Sequence, residues 1–186
     1  KSLFTIADGI VQEALKEYLF GGGKFEALVG EEDSSTVNIR EKPYRVDNLV
    51  VREELNELID EVREKLTELG KRIDGNGYKT VTVFIDPIDG TREFCTKLGE
   101  QCSICIGFAV GGRPVAGIVY RPIPNPATWA AGCKSENVRM GNLELREPAH
   151  KNGLLTTNGS ISGFTVELMK ELGYERVPSG GAGNKM

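Results

Sequence analysis

The segment Phe84-Ile-Asp-Pro-Ile-Asp-Gly-Thr-Arg-Glu-Phe94 decides the fold class of this 186-residue chain. Ahead of it, Val81, Val83 and Ile85 alternate with Thr82 and Phe84, the period-2 pattern of a β-strand. The run Asp86-Pro-Ile-Asp-Gly90 that follows consists mostly of residues that favour turns. We therefore predict a strand that ends at Asp86, followed by a turn that carries two carboxylates.

The composition of this turn is suited to a divalent cation. Mg²⁺ takes a few carboxylate oxygens while it keeps waters and phosphate oxygens. Asp86 and Asp89 can lie on the same side of the turn, with the Ile88 carbonyl between them as a further ligand. The N–H groups of Gly90 and Thr91 then favour a bound anion such as a phosphate. Taken by itself, the segment is equally consistent with an ordinary turn.

A second acidic cluster, Gly30-Glu-Glu-Asp33, follows another short apolar segment at Ala27–Val29. Two carboxylate clusters at strand ends repel each other unless a cation lies between them. Together with Asp8, these clusters place acidic side chains where several elements can converge. The pair of clusters therefore favours a metal site.

The remainder of the chain predicts alternating helices and strands. The apolar spacing from Ile6 to Leu19 indicates a helix that Gly21–Gly23 end, and a second helix is predicted over about 48–69 after a loop at 34–47. Gly111-Gly112 indicate a hairpin turn. Strands are predicted at about 102–110, 114–120, 128–131 and 138–145, and then a strand at 153–157, a helix at 163–172 and a strand at 175–178.

Composition excludes several function classes. The 23 basic and 27 acidic side chains give a net charge of −4, which argues against a nucleic-acid or anionic-membrane binder. No apolar run approaches the roughly 20 residues of a membrane helix. The four cysteines do not form the pattern of a disulfide framework. We expect reduced thiols, a cytoplasmic location, and binding to neither nucleic acid nor membranes.

Three motifs in order, Val29–Asp33, Phe84–Phe94 and Ser179–Lys185, resemble those of the Mg²⁺-dependent, lithium-sensitive phosphatases of the inositol monophosphatase superfamily. The resemblance implies an α/β fold, a layered α-β sandwich. It divides the chain into an α+β metal-binding portion at 1–148 and the start of an α/β portion at 149–186. The family's last metal ligand is an Asp in a Trp-Asp pair, whereas Trp129 is followed here by Ala130. We therefore expect a protein that continues beyond residue 186.

The resemblance also implies a role for each matching residue. Two or three Mg²⁺ ions would be held by the side chains and the one carbonyl of Glu31, Asp86, Ile88 and Asp89, and lithium would inhibit. Thr91 would orient the attacking water, and Asp8 and Glu31 would accept its proton. The N–H groups of Gly90 and Thr91 would bind the phosphate. For Glu32 a role outside the metal shell is favoured.

The substrate branch is indicated by the residues after Thr91. Arg92-Glu-Phe94 resembles the 3′(2′),5′-bisphosphate nucleotidases, where Gly181 and Lys185 correspond to positions that contact substrate. Gly180–Gly183 are equally consistent with a simple tight turn into a helix. We predict release of phosphate from adenosine 3′,5′-bisphosphate.

Inositol phosphates are the alternative substrates. Val11-Gln-Glu13 is similar to the inositol polyphosphate 1-phosphatases, and inositol monophosphatases belong to the same superfamily. Gly159 and Ile161 also stand where nucleotidases often carry an Arg or His that contacts the nucleotide. Either way the partner is a small phosphorylated molecule, and the sequence does not distinguish a monomer from a homodimer.

Two further hypotheses come from different classes. Cys133 and Arg139 have the Cys-x5-Arg spacing of cysteine phosphatases, in which a thiolate attacks phosphorus. Glu136 inside that segment would repel a phosphate. A non-catalytic interaction protein is the other alternative, because the Trp-Asp ligand is absent from this sequence.

Overall fold

The computed structural model describes residues 5–34, 45, 49–72, 77–134, 137–143 and 152–183. Most of the loop predicted at 34–47, the end of the strand predicted at 138–145, and Lys185 lie outside these residues. The α-helices are α1 (Ile6–Ala14), α2 (Asn56–Arg72), α3 (Thr91–Cys95) and α4 (Gly163–Glu171). The strands are β1 (Ala27–Gly30), β2 (Val81–Asp89), β3 (Ser103–Val110), β4 (Arg113–Arg121), β5 (Thr128–Cys133), β6 (Val138–Gly141), β7 (Gly153–Thr156) and β8 (Glu175–Pro178).

The six strands from β1 to β6 form one sheet in sequence order. β1 pairs with β2 in parallel, whereas the remaining neighbours pair antiparallel. The hairpin predicted at Gly111-Gly112 is confirmed: both glycines have positive φ, 55° and 73°, which suits a two-residue turn between β3 and β4. The parallel pair brings the carboxyl ends of β1 and β2 to the same edge of the sheet.

Two helices from the first half of the chain pack together. α1 begins with a capping box in which Thr5 N donates to Asp8 Oδ2 at 2.8 Å and Asp8 N donates to Thr5 Oγ1 at 3.4 Å. A π-helical segment, Leu15–Leu19, continues it as predicted. From α2, Arg63 Nε donates to the Tyr18 carbonyl at 2.6 Å and joins the two helices.

The predicted start of the second helix was wrong. The α-helix begins at Asn56, after a 3₁₀ turn at Glu53–Leu55, and not near residue 48. It also ends two residues after Gly70, at Arg72. The apolar stripe identified the helix, but Arg52 makes no side-chain capping hydrogen bond and Val50 is 78% exposed.

The core lies on one face of the sheet, under α1. Its buried residues are Phe20, Phe25, Val83 and Ile85. Phe20 and Phe25 pack edge to face with ring centroids 5.6 Å apart. Val83 and Ile85 contribute because alternate residues of β2 point to the same face.

The opposite face of the sheet is partly accessible. Phe84, which points to this face from β2, is 47% exposed. A shallow cavity of about 960 Å³ runs over β3 to β6 on this face, between Cys105 and Met140. The face carrying Phe84 thus remains apolar and accessible.

The last described part of the chain forms the predicted α/β unit. β7 and β8 pair in parallel, and α4 connects them. Ser162 caps α4 by accepting from Thr165 N at 3.1 Å. Among the described helices, none is both long and apolar enough to cross a membrane.

Candidate active site

Glu31 and Asp86 are brought together by the parallel pair. Gly30 of β1 is aligned with Ile85 of β2, so the next residue of each strand is an acid at the same sheet edge. Burial of the side chain, and then the negative charge of Glu31, raise the pKa of Asp86 to about 8. Asp89 and Asp8 add to this field. The structure therefore concentrates the carboxylates that the sequence predicted.

The turn that carries Asp86 and Asp89 differs from the prediction. The strand does not end at Asp86 but continues to Asp89, with a register shift between these two residues. Asp86 is aligned with Cys105 and Asp89 with Ser103, so β2 has one residue more than β3 over this stretch. This bulge accommodates Pro87, which has no N–H for the ladder.

Asp8 and Thr91 meet at the same edge. The Asp8 side chain is fully buried, and its Oδ2 is occupied by the N-terminal cap at Thr5. The Thr91 hydroxyl lies 3.3 Å from Asp8 Oδ1 and 3.0 Å from the Ile88 carbonyl, and it can donate to one of them at a time. The structure thus brings Thr91 to Asp8, while no hydrogen bond between Thr91 and Glu31 is found among the described residues; the roles of these three residues in activating water stay predictions.

Gln12 holds the turn after β1, a role that the sequence analysis missed. Its buried amide accepts from Glu32 N at 3.0 Å and donates to Asp33 Oδ1 at 3.1 Å. Asp33 Oδ2 in turn accepts from Gly30 N at 2.7 Å. A Cβ on Gly30 would lie 2.0 Å from Gln12 Oε1, so only glycine fits there. The sequence feature that could have indicated this role is the position of Gln12, a polar residue on the face of α1 that is buried.

The glycine loop, Ser179–Gly183, packs against the same edge. Gly183 N donates to Asp89 Oδ2 at 2.6 Å. A Cβ on Gly181, which has a φ of +62°, would lie 2.8 Å from Asp89 Oδ2. A Cβ on Gly183 would lie 2.4 Å from Ser103 Oγ. Gly181 and Gly183 are therefore needed for the close approach of the loop to the carboxylate turn. This role is separate from the two that the sequence suggested, which are contact with the substrate and a tight turn into a helix.

Gly90, the N-cap residue of α3, has a φ of +91°, a left-handed conformation that favours glycine. Its carbonyl accepts from Phe94 N at 3.0 Å and from the Cys102 thiol at 3.2 Å. The roles of the Gly90 and Thr91 N–H groups in phosphate binding stay predictions, as do the substrate contacts of Gly181 and Lys185.

The carboxylate edge fits a divalent cation on two observations. Asp86 Oδ1 is buried without a hydrogen-bond partner, which is costly for a polar atom. Burial, and then the negative charge of Glu31, raise the pKa of Asp86, and a bound cation would favour its ionised form. In the described part of the chain, however, no three acidic, thiol or imidazole side chains form a ready-made metal cluster.

The Cys133 and Arg139 spacing lies in a β-hairpin. Cys133 is on β5 and aligned with Val138, and Arg139 on β6 is aligned with Gly132. A cysteine phosphatase needs a loop whose amides turn inward around an anion. Paired antiparallel strands direct their amides at each other, so this hypothesis has no support in the fold. None of the four cysteines, all of which lie within the described residues, forms a disulfide.

The fold is that of a layered α/β protein, with a sheet covered by helices. Carboxylates at the end of its parallel strand pair are ligands of the kind that divalent cations take. The model of the inositol monophosphatase family matches residues 1–172. The chain belongs to the inositol monophosphatase family. The predicted superfamily and fold class are thereby confirmed, as is the prediction that the chain comes from a family of phosphatases.

Similar proteins include inositol monophosphatases and adenosine 3′,5′-bisphosphate phosphatases. The chain is 30% identical over 110 residues to a putative inositol monophosphatase 3 of Drosophila melanogaster, a match covering 57% of this chain and 31% of that protein. It is also 30% identical over 111 residues to the Golgi-resident adenosine 3′,5′-bisphosphate 3′-phosphatase of Bos taurus, covering 58% and 30%. These matches span about a third of each relative.

Solved structures show the same fold. A Ca-bound IMPase family protein from Staphylococcus aureus has a TM-score of 0.60 at 15% identity, covering 98% of this chain and 56% of that one. A dual specific IMPase/NADP phosphatase bound with D-inositol-1-phosphate has a TM-score of 0.57 at 18% identity, covering 98% and 58%. The chain thus spans somewhat more than half of each.

Proposed function

We propose that the protein is a Mg²⁺-dependent phosphomonoesterase that acts on a small phosphorylated molecule. The observation that carries the proposal is the meeting of Glu31 and Asp86 at one sheet edge, where Asp86 Oδ1 has no hydrogen-bond partner and the charges of Asp89 and Asp8 also act on Asp86. Family membership supports it.

The carboxylates of Glu31, Asp86 and Asp89, with the Ile88 carbonyl, would hold the cations. Bound Mg²⁺ would supply positive charge for the phosphate and an activated water. Three carboxylates bring −3 against +4 from two ions, which leaves a positive pocket for a phosphate dianion. Burial at this edge makes that charge effective, because water screens it poorly there.

Thr91 and Asp8 would handle the proton. The Thr91 hydroxyl can donate to Asp8 Oδ1 at 3.3 Å, which would leave its lone pairs free to accept from a water. Asp8 Oδ2 is held by Thr5, so its carboxylate has a fixed direction. A proton removed from water at Thr91 Oγ1 can pass to Asp8 Oδ1. Gly90 and Thr91 N–H groups would bind the phosphate oxygens.

The first substrate candidate is adenosine 3′,5′-bisphosphate, supported by Arg92-Glu-Phe94 and by the Bos taurus relative. The second is an inositol phosphate, favoured by Val11-Gln-Glu13 and by the Drosophila relative. The cytoplasmic location, lithium inhibition and the number of ions stay predictions.

A paired assay tests the proposal. Full-length protein is incubated with adenosine 3′,5′-bisphosphate and with inositol 1-phosphate, each with Mg²⁺ and with EDTA, and released phosphate is measured. We expect Mg²⁺-dependent release from one substrate at a much higher kcat/KM than from the other. Turnover that survives EDTA, or equal and negligible rates on both substrates, would reject the proposed function.

A further inference from the structure

Three polar side chains join parts of the chain that are far apart in sequence. Asn158 Nδ2 donates to Glu93 Oε1 at 3.0 Å and to Gln101 Oε1 at 2.9 Å. Gly180 N donates to the same Gln101 Oε1 at 2.7 Å. We call Glu93, Gln101 and Asn158 the amide clamp. It connects the segment after the carboxylate turn with the glycine loop.

The burial of Glu93 is unusual for a carboxylate. The residue is only 7% exposed, and no ion pair to it is found within the described ranges. A buried carboxylate without a cation is costly. A Cβ on Gly180 would lie 2.3 Å from Glu93 Cδ, so the loop backbone rests directly on this side chain. The clamp thus fixes the loop by contact as well as by hydrogen bonds.

The fixed loop in turn determines the direction of the Asp89 carboxylate. Gly183 N donates to Asp89 Oδ2 at 2.6 Å, and Ser103 Oγ donates to the same oxygen at 3.3 Å. A backbone N–H to a carboxylate is a strong, directional bond. Because both bonds go to Oδ2, Oδ1 remains available to a cation.

We propose that Glu93, Gln101 and Asn158 are positioning residues: they hold the glycine loop so that its Gly183 N–H orients Asp89 for a divalent cation. The proposal rests on the proposed function in one respect, that Asp89 is a cation ligand. Neither Asn158 nor Gln101 touches the cation or the substrate in this role. They act through the loop, so their loss should change cation affinity without removing a ligand.

The test measures Mn²⁺ binding by the paramagnetic resonance of the free ion, together with hydrogen exchange of the Gly180 and Gly183 amides in metal-free protein. Asn158→Ala is expected to weaken Mn²⁺ binding about tenfold and to speed both amides about tenfold, the size of one buried hydrogen bond. The matched control is Asn142→Ala. The Asn142 side chain also makes two hydrogen bonds, with Trp129 N at 2.7 Å and the Ala127 carbonyl at 2.9 Å. These bonds connect the end of β6 to the start of β5 and do not involve the glycine loop.

A second pair of variants separates positioning from general stability. Glu93→Gln retains an acceptor oxygen for Asn158 and should bind Mn²⁺ within about twofold of wild type, whereas Glu93→Ala should weaken binding as Asn158→Ala does. If Asn158→Ala does not fold, Glu93→Ala with Glu93→Gln carries the test. Asn142→Ala is expected to leave Mn²⁺ affinity and both loop amides unchanged.

The outcomes distinguish the two proposals. Wild-type protein that binds no Mn²⁺ would overturn the clamp's role and the cation part of the proposed function together. Folded Asn158→Ala or Glu93→Ala that binds Mn²⁺ as tightly as wild type would overturn the clamp alone. Loss of Mn²⁺ affinity in the clamp variants, in a protein that hydrolyses neither phosphate ester, would support the clamp and reject the proposed activity.

Discussion

The two sides of the carboxylate edge are built in different ways. On the β1 side, the turn that carries Glu31 is held by Gln12, from the helix that covers the same sheet. On the β2 side, Asp89 is held by Gly183, from a loop 94 residues later in the chain. One side is thus formed within the sheet and its helices, whereas the other depends on residues that follow the sheet. The candidate site is complete only when both portions of the chain are folded together.

The largest expected effect tests whether both sides are needed. Asp89→Asn keeps the shape and the Gly183 contact but removes a negative charge from the cation site. We expect Mg²⁺-dependent turnover to fall on the order of a thousandfold, because several kcal/mol of transition-state stabilisation come from the metal. Glu31→Gln should give a loss of the same order on the other side. Steady-state kinetics check this, and either variant retaining most activity would refute its ligand role.

The next effect concerns the close approach of the glycine loop. Gly183→Ala would place a Cβ 2.4 Å from Ser103 Oγ, 2.7 Å from Cys105 Sγ and 3.0 Å from a methyl group of Val119. Overpacking of this kind costs about 1–3 kcal/mol. Urea unfolding should show that loss.

The control for this variant is Gly163→Ala, at the first residue of α4, where a Cβ would have no neighbour within 4 Å. It should be neutral or stabilise by about 0.4–1 kcal/mol. If Gly183→Ala and Gly163→Ala lower the free energy of unfolding equally, the loss at Gly183 does not come from close packing of the loop.

The β1 side is tested by Gln12→Ala. The change leaves the part-buried Glu32 N without its acceptor, and it removes one of the donors to the partly exposed Asp33. An unsatisfied buried group costs about 1–3 kcal/mol, so the free energy of unfolding should fall by that amount. Mn²⁺ affinity should fall as well, because Glu31 lies in the turn that Gln12 holds. A variant with normal stability and normal Mn²⁺ binding would contradict this role.

The smallest effect is expected for Lys16→Met. Lys16 also contacts Asp33, but this ion pair is partly exposed, with 43% of the Asp33 side chain accessible. Pairs of this kind contribute about 0–1 kcal/mol and are screened by salt. Thermal unfolding at low and high salt should show a small loss that shrinks as salt rises. A loss as large as that of Gln12→Ala would mean that charge, and not the buried amide, holds the β1 turn.

The positions of two acidic residues of the site could be predicted from the sequence. Glu31 and Asp86 each follow an apolar strand segment, and this local pattern is enough to place each acid directly after those apolar residues. The extension of β2 to Asp89 was not predicted, because Asp, Pro and Gly have the same local preferences in a turn and beside a bulge. The helix start at Asn56 was placed too early for a related reason, since polar residues ahead of an apolar stripe do not mark its first turn.

The residues that hold the site could not be predicted in the same way. Asn158 and Gln101 lie 57 residues apart, and Gln101 and Gly180 lie 79 apart. A hydrogen bond over such a separation leaves no periodicity in the sequence. Gln12 is the exception, because a polar residue inside an apolar stripe indicates a buried partner. Each acidic motif is therefore local in sequence, whereas the contacts that hold the motifs in place are not.

The order of strands also has a consequence for folding kinetics. Strands β2 to β6 pair successively with their neighbours along the chain, whereas β1 must find β2 across the 50 residues that separate Gly30 from Val81. Closing a long segment costs more entropy than closing a hairpin, and parallel pairing forms slowly. We expect the β1 edge to join last. The step that completes the sheet is then the same step that brings Glu31 against Asp86, so a cation that binds both would favour the final pairing by mass action.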